Sequence, residues 1–369
     1  IFVKHLSFGL MRLPLLDPND SGSIDLLAVI RMADRFLEGG FTHFDTAYPY
    51  HGGKSEEALR EAVVRRHPRQ SFAVTDKLPV WAIEREEQLE EIFNQQLERC
   101  GVEYFDYYWL HALSAQRVEK CRQLRAFEFL ARKQAEGRVR HTGFSFHDSA
   151  QVLDEILTAH PELEYVQLQL NYLDWETETV QSRLCYETVR RHGKRVMVME
   201  PVKGGALAQL PPKAEALLKE LDPDLSPAAW ALRFAGGLEG VDMVLSGMSN
   251  LEQLEENMRT FDPLQPLSPQ EREALSQAAE LIRQAIAIPC TACRYCTDGC
   301  PQHIPIPDCF QLYNNAKLGK RSPAGSFDQL VQTFGGKPSD CIACRQCESH
   351  CPQNLPIVQY LEQATKLLE

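Results

Sequence analysis

The sequence predicts an α/β protein, a (β/α)8 barrel followed by a smaller α-rich domain. Three observations carry that prediction: short β-like runs alternate with amphipathic helical runs, the length of 369 residues exceeds what one such barrel needs, and nine of the twelve cysteines crowd together after Pro289. Ser7–Met11, Phe41–Asp45, Phe72–Asp76, Tyr107–His111, His141–Ser145, Tyr165–Leu168, Arg195–Met199 and Val241–Ser246 make eight strand candidates. Eight strands with helices between them suit a TIM barrel of roughly 250 residues better than an open doubly wound sheet. No G-x-G-x-x-G follows a strand, so the Rossmann fingerprint is missing.

Past the last strand, Ser268-Pro269-Gln270-Glu271 reads as a capping box with Pro at the first helical position. A helix is expected from there to about Ile286. The domain boundary falls behind it, giving a barrel over 1–286 and a second domain over 287–369.

Composition narrows the function classes. A net charge of −12 without a basic tract argues against a nucleic-acid partner. No run approaches the ~20 apolar residues of a membrane span. Lys4, His5 and Arg12 interrupt the apolar stretch from Ile1 to Leu16, which speaks against a secretory signal, and the lack of an initiator Met implies residues before Ile1. A long cysteine-poor front half makes a disulfide scaffold improbable, so metal ligation in a reducing, cytoplasmic setting is the expectation.

The cysteines form an internal repeat. Cys290, Cys293, Cys296 and Cys300, followed by Pro301, Gln302, Ile304, Pro305 and Ile306, recur at a constant offset. The second copy is Cys341, Cys344, Cys347 and Cys351, followed by Pro352, Gln353, Leu355, Pro356 and Ile357. Each copy reads C-x-x-C-x-x-C-x-x-x-C-P, the run in which three thiolates hold one [4Fe–4S] cluster and the fourth reaches the other. The expected ligand sets are therefore crossed. Cys290, Cys293, Cys296 and Cys351 hold one cluster; Cys341, Cys344, Cys347 and Cys300 hold the second. Zinc ribbons also use paired C-x-x-C units but leave no role for the third Cys of each run. Cys100, Cys121, Cys185 and Cys309 stand outside the pattern and read as small buried apolar residues.

Asp45 and Tyr50 follow the second strand, Lys77 the third, and His111 ends the fourth, which is where barrel enzymes keep their chemistry. Each alone has a dull explanation as a solvated or structural side chain; their joint occurrence does not. Through Phe44-Asp45-Thr46-Ala47 with Tyr50, Gly53, Ser55 and Glu56, then Lys77, then His111, the sequence resembles the aldo-keto reductase family over most of Ser7 to Asn257. With the cysteines added, it is similar to that family's iron–sulfur-containing branch.

The resemblance implies hydride transfer between NADP or NAD and a small carbonyl or alcohol. Tyr50 is the implied general acid, Lys77 the ammonium that eases its ionisation, Asp45 the partner of Lys77, and His111 the donor that orients the substrate carbonyl. Ser145 and Gln167 match residues that bind the nicotinamide carboxamide, although Phe146 replaces the usual Asn. Met199 falls where an aromatic platform usually lies. Lys203 and Gly204 fall in the loop that wraps the pyrophosphate, and Glu256 and Asn257 match the adenine-binding pair. The cations that grip a 2′-phosphate fall on Gly247 and Gln253, so that clamp is weakened and the preferred dinucleotide stays open.

Two rival functions remain at this stage. One is electron transfer to a ferredoxin or flavoprotein partner; the other is a non-catalytic binding role, which retention of all four catalytic positions weighs against. Hydride carries two electrons whereas each cluster takes one, and no flavin fingerprint mediates the split, which favours a structural role for the clusters.

Overall fold

The computed structural model describes residues 5–18, 20–297, 299–317 and 325–369; Ile1 and Lys4 of the N-terminal stretch lie outside them. Eight parallel strands close into a barrel, each hydrogen-bonded to its neighbours in sequence order and the eighth to the first. They are β1 (Leu6–Gly9), β2 (His43–Asp45), β3 (Ala73–Leu78), β4 (Phe105–Leu113), β5 (Val139–Phe146), β6 (Tyr165–Gln169), β7 (Arg195–Met199) and β8 (Val241–Gly247). Every predicted strand is present. The first two are shorter than expected for local reasons. After Gly9 the chain turns into a 3-10 segment, Leu10–Arg12, and Phe41 stacks on Phe36 at 5.2 Å to close the helix Leu26–Glu38 instead of extending the sheet.

Caps set where several helices begin. Asp25 accepts from Ala28 N–H at 3.0 Å, and Asn250 accepts from Gln253 N–H at 2.9 Å, each satisfying a donor that the first turn leaves open. The barrel interior is filled rather than hollow, with Trp109, Tyr165, Met197, Met243 and Leu245 packed together. Nearer β1, the buried His43 ring bridges three strands. Its Nδ1 lies 2.6 Å from Ser7 Oγ and its Nε2 2.8 Å from Thr75 Oγ1.

The chain divides into two compact units. The first comprises Ile1–Glu176, Gln181–Pro201 and Ala228–Ser268, which contain the barrel strands. The second comprises Thr177–Val180, Val202–Pro227 and Pro269–Glu369. The helix Pro269–Ala285, which the sequence assigns to the end of the barrel domain, groups with the second unit because it packs against the helix Pro212–Lys219.

The second unit has its own core. Ile288, Ile304, Ile306, Phe310, Ile357 and Leu361 are buried together, with Cys296, Cys309 and Cys347 among them. Its two halves repeat each other in backbone as well as in sequence. Helix Ile306–Lys317 corresponds to helix Ile357–Leu368, and the two pack on one another. Left-handed residues recur at matching places: Ala292 and Ala343, Arg294 and Arg345, His303 and Asn354, with φ values of 52° and 57°, 65° and 61°, 52° and 51°. Among the described residues no helix is long and apolar enough to cross a membrane.

Candidate active site and cysteine clusters

Lys77 is 1% exposed at the C-terminal part of β3. A buried ammonium needs acceptors, because desolvation without them is costly. Its Nζ donates to Asp45 Oδ1 at 2.6 Å and to the Thr46 carbonyl at 2.6 Å, and stands 3.5 Å from Tyr50 Oη. Burial raises the Asp45 carboxyl above its ordinary range, while the Lys77 charge and hydrogen bond pull it back. The four residues named from sequence are thus assembled around one point: the Tyr50 and His111 rings meet edge to face at 6.2 Å.

His111 is buried, and burial followed by the Lys77 charge pushes its imidazole well below the usual range. It is neutral at pH 7. Its Nδ1 has no hydrogen-bond partner among the described residues, so the favoured tautomer carries the proton on Nε2; the reverse would bury an unmet N–H donor. Trp81 packs on the ring at 4.9 Å, and the Arg117 guanidinium lies 5.0 Å from the Trp81 ring. After His111 the β4–β5 register shifts, and Ala112 takes φ 55°. Its N–H then reaches Ser145 Oγ at 2.6 Å. Such irregularities re-aim side chains beside functional sites.

Beneath Lys77 lies a set of buried groups that sequence reading left without a role. Asp76 Oδ1 accepts from the Lys77 N–H at 2.8 Å, and Gln96 Nε2 donates to the Lys77 carbonyl and to Glu56 Oε1, both at 3.1 Å. Arg99 holds the second Glu56 oxygen at 3.1 Å. Burial, then the Glu56 charge, lifts Asp76 well above the carboxylate range; burial raises Glu56 too, but its hydrogen bonds to Gln96 and Arg99 and the Arg99 charge pull it back. The signal that could have found Gln96 is its place on the buried face of the helix Glu87–Cys100, in step with Leu89, Phe93, Leu97 and Cys100.

The residues expected to contact a nicotinamide are buried in the first unit. Gln167 Oε1 is buried with no hydrogen-bond partner among the described residues, an acceptor suited to an amide N–H, and Ser145 Oγ, already accepting from Ala112, retains its own proton to donate. Both suit a carboxamide. Met199 is partly buried, in register with Gln169. Asn257 donates to Ser246 Oγ at 3.0 Å, while Glu256 is partly exposed on the same helix, Leu251–Thr260. Gln253 folds back to accept from the Ser249 N–H at 2.8 Å. Gly247 adjoins Arg12: a Cβ there would meet the Arg12 side-chain carbons at 3.1–3.2 Å. Lys203 and Gly204 belong to the second unit, where Lys203 Nζ donates to Gln353 Oε1 at 3.0 Å.

In that unit a cavity is lined by Cys300, Cys341, Cys344 and Cys347, the quartet expected from the crossed pattern. The remaining four sense one another. Burial raises the Cys296 thiol, and Cys293, Cys290 and Cys351, then Cys347 of the other quartet, push it further; Cys347 is pushed up to about 11 by burial and Glu348, with Cys341 and Cys300 adding to it. Thiolates crowded in this way call for cationic iron, so the donor set fits clusters. Among the described residues, no group of three or more His, Cys, Asp or Glu side chains is drawn together tightly enough to hold a single metal ion. Cys100, Cys121, Cys185 and Cys309 are buried, and the last three are pushed up to about 12 chiefly by burial, as inert structural thiols.

Fold and site together define an oxidoreductase barrel joined to an iron–sulfur domain. The aldo/keto reductase family profile matches residues 5–280 and the 4Fe-4S dicluster domain profile matches residues 289–355. The chain belongs to the aldo/keto reductase family and carries a 4Fe-4S dicluster domain at its C-terminal end. It is similar to the uncharacterized oxidoreductase YqkF of Bacillus subtilis (strain 168), 23% identical over 259 residues, covering 62% of this chain and 81% of that one. Among solved structures it resembles the holo form of aldo-keto reductase AKR11C1 from Bacillus halodurans, with a TM-score of 0.61 and 24% identity, covering 75% of this chain and 92% of that one. An aldo/keto reductase from Klebsiella pneumoniae, solved in complex with NADP and acetate, has a TM-score of 0.57 and 17% identity, covering 76% of this chain and 92% of that one.

Proposed function

We propose that the protein reduces an aldehyde or ketone with NADPH or NADH, or runs the reverse oxidation of the alcohol. The observation that carries this reading is the Lys77 ammonium, buried between Asp45 and Thr46 and 3.5 Å from the Tyr50 hydroxyl. A bound reduced nicotinamide supplies the hydride that adds to the carbonyl carbon. Tyr50 gives its phenolic proton to the carbonyl oxygen, completing the alcohol, and the Lys77 ammonium stabilises the phenolate left behind. Asp45 holds Lys77 in place. His111 donates from Nε2 to the carbonyl oxygen and stabilises the charge that develops there. Ser145 and Gln167 hold the carboxamide, and Met199 can pack on the ring. A reducing, cytoplasmic setting goes with the two cysteine-ligated clusters.

A second reading follows from the dicluster domain: the clusters pass electrons to a ferredoxin or flavoprotein. An anaerobic screen of simple carbonyls and alcohols against NADH and NADPH separates the two. Turnover without any partner supports the reductase; nicotinamide oxidation that requires a redox partner supports electron transfer.

A further inference from the structure

We infer that Lys203 is a charge positioned for the iron–sulfur domain: its ammonium, held by Gln353, favours the reduced state of the cluster carried by Cys290, Cys293, Cys296 and Cys351. The inference rests on the crossed cysteine assignment. Lys203 lies in the segment Val202–Pro227, which groups with the cysteine-bearing unit although in sequence it follows β7. The residue is 3% exposed, and its Nζ donates to Gln353 Oε1 at 3.0 Å.

Gln353 stands two residues after Cys351 and is buried, whereas its counterpart in the first repeat, Gln302, is partly exposed. Burial at this position is therefore not a property of the repeat itself; it accompanies the Lys203 contact. The neighbouring Asn354 Nδ2 donates to the Thr179 carbonyl at 3.2 Å, so the turn after Cys351 gathers both inserted segments of the unit.

Adding one electron to a cluster adds one negative charge to the iron, sulfide and thiolate assembly. A nearby cation stabilises that charge, and more so where water is excluded. Lys203 meets this condition: it is buried and bonded to Gln353, two residues after Cys351. Other cations beside the cysteine loops are weaker candidates. Arg294 is 48% exposed and paired with Asp308, and Arg345 is 71% exposed and paired with Glu348, so solvent and counter-charge screen both. Lys203 also keeps a full side chain at φ 48°, followed by Gly204 at φ 62° and Gly205 at φ 96°. Glycine would hold that conformation with less strain, and retained strain points to a side chain with work to do.

The test is an anaerobic redox titration of the full chain with dithionite as the one-electron reductant, followed by electron paramagnetic resonance, with iron content and nucleotide binding measured on the same samples. Lys203→Met should make one of the two clusters about tenfold harder to reduce, a shift of about 59 mV for a one-electron couple, and leave the other unchanged. Lys203→Arg should stay near the parent. Lys203→Gln provides a second neutral variant; loss of iron in both neutral variants with retention in Lys203→Arg also supports the role of charge. Parent-like potentials in a fully loaded neutral variant overturn the inference, and so does equal loss of iron in all three. If Lys203 instead grips the pyrophosphate, Lys203→Met loses nucleotide affinity while both potentials hold. A parent protein without iron would sink the cluster reading itself, which is a separate failure.

Discussion

Lys77 Nζ lies 2.6 Å from Asp45 Oδ1, with both side chains buried, whereas the adjacent Asp76 carboxyl meets Lys77 through the backbone N–H and accepts from the Cys100 thiol with its other oxygen. The two aspartates should therefore respond differently to the same change. Asp45→Asn leaves a buried ammonium without its counter-ion and should cost about 3–5 kcal/mol of stability. Its turnover should fall by roughly 10² or more. Asp76→Asn keeps an acceptor for the Lys77 N–H and removes a charge that burial and Glu56 disfavour, and should stay within about 1 kcal/mol. Chemical denaturation of both variants checks this; equal destabilisation would contradict the assignment.

His43 makes stability fall in acid. Burial, then the Lys77 charge, lowers its pKa to about 3, against 6.5 in the unfolded chain. Between those values the unfolded state binds the extra proton, so the contribution is complete above pH 6.5 and lost as pH falls toward 3. The effect is of the order of 5 kcal/mol over that window. Denaturant midpoints measured from pH 7 to pH 4 should decline in the parent and decline less in His43→Gln, which keeps partners for Ser7 and Thr75.

Under the proposed nicotinamide-dependent function, Arg12 should decide the dinucleotide preference. The expected 2′-phosphate clamp falls on Gly247 and Gln253, which are uncharged, but the Arg12 side chain packs against Gly247. Arg12→Ala should weaken NADPH binding about tenfold, the worth of one charge-assisted hydrogen bond, and NADH binding far less. Gly247→Ala, which presses a methyl against the Arg12 stem, should act in the same direction. Equal losses for both dinucleotides would refute this.

The crossed ligand sets predict which cluster each cysteine supports. Parent protein prepared without oxygen should be brown and hold about eight irons. Cys351→Ser and Cys290→Ser should disturb the same spectroscopic signal, and Cys300→Ser and Cys341→Ser the other. Zinc in place of iron, or pairing of Cys300 with Cys290, would contradict the assignment.

Sequence exposed what is local or repeated. The strand-end placement of Asp45, Lys77 and His111 and the cysteine spacing are written in short windows, and the structure brings the first three together around Tyr50. Contacts between distant positions were not legible. Lys203 and Gln353 are 150 positions apart, and nothing near either announces the bond. The grouping of Val202–Pro227 with the cysteine region is equally invisible, because a loop that follows β7 reads as part of the barrel until its packing is seen. Gln96 sits on the apolar stripe of its helix with Leu89, Phe93, Leu97 and Cys100, which marks it as buried but not as a partner of Lys77.

In the proposed nicotinamide-dependent carbonyl reduction, Tyr50 supplies the proton. Tyr50→Phe removes one hydroxyl and leaves the Lys77–Asp45 pair and the nucleotide contacts in place. With a carbonyl substrate that the parent reduces, single-turnover oxidation of NADPH should slow by roughly 10²–10⁴, the worth of a general acid, while the dissociation constant for NADPH stays within about twofold. A Tyr50→Phe protein that reduces the same carbonyl as fast as the parent would contradict the account.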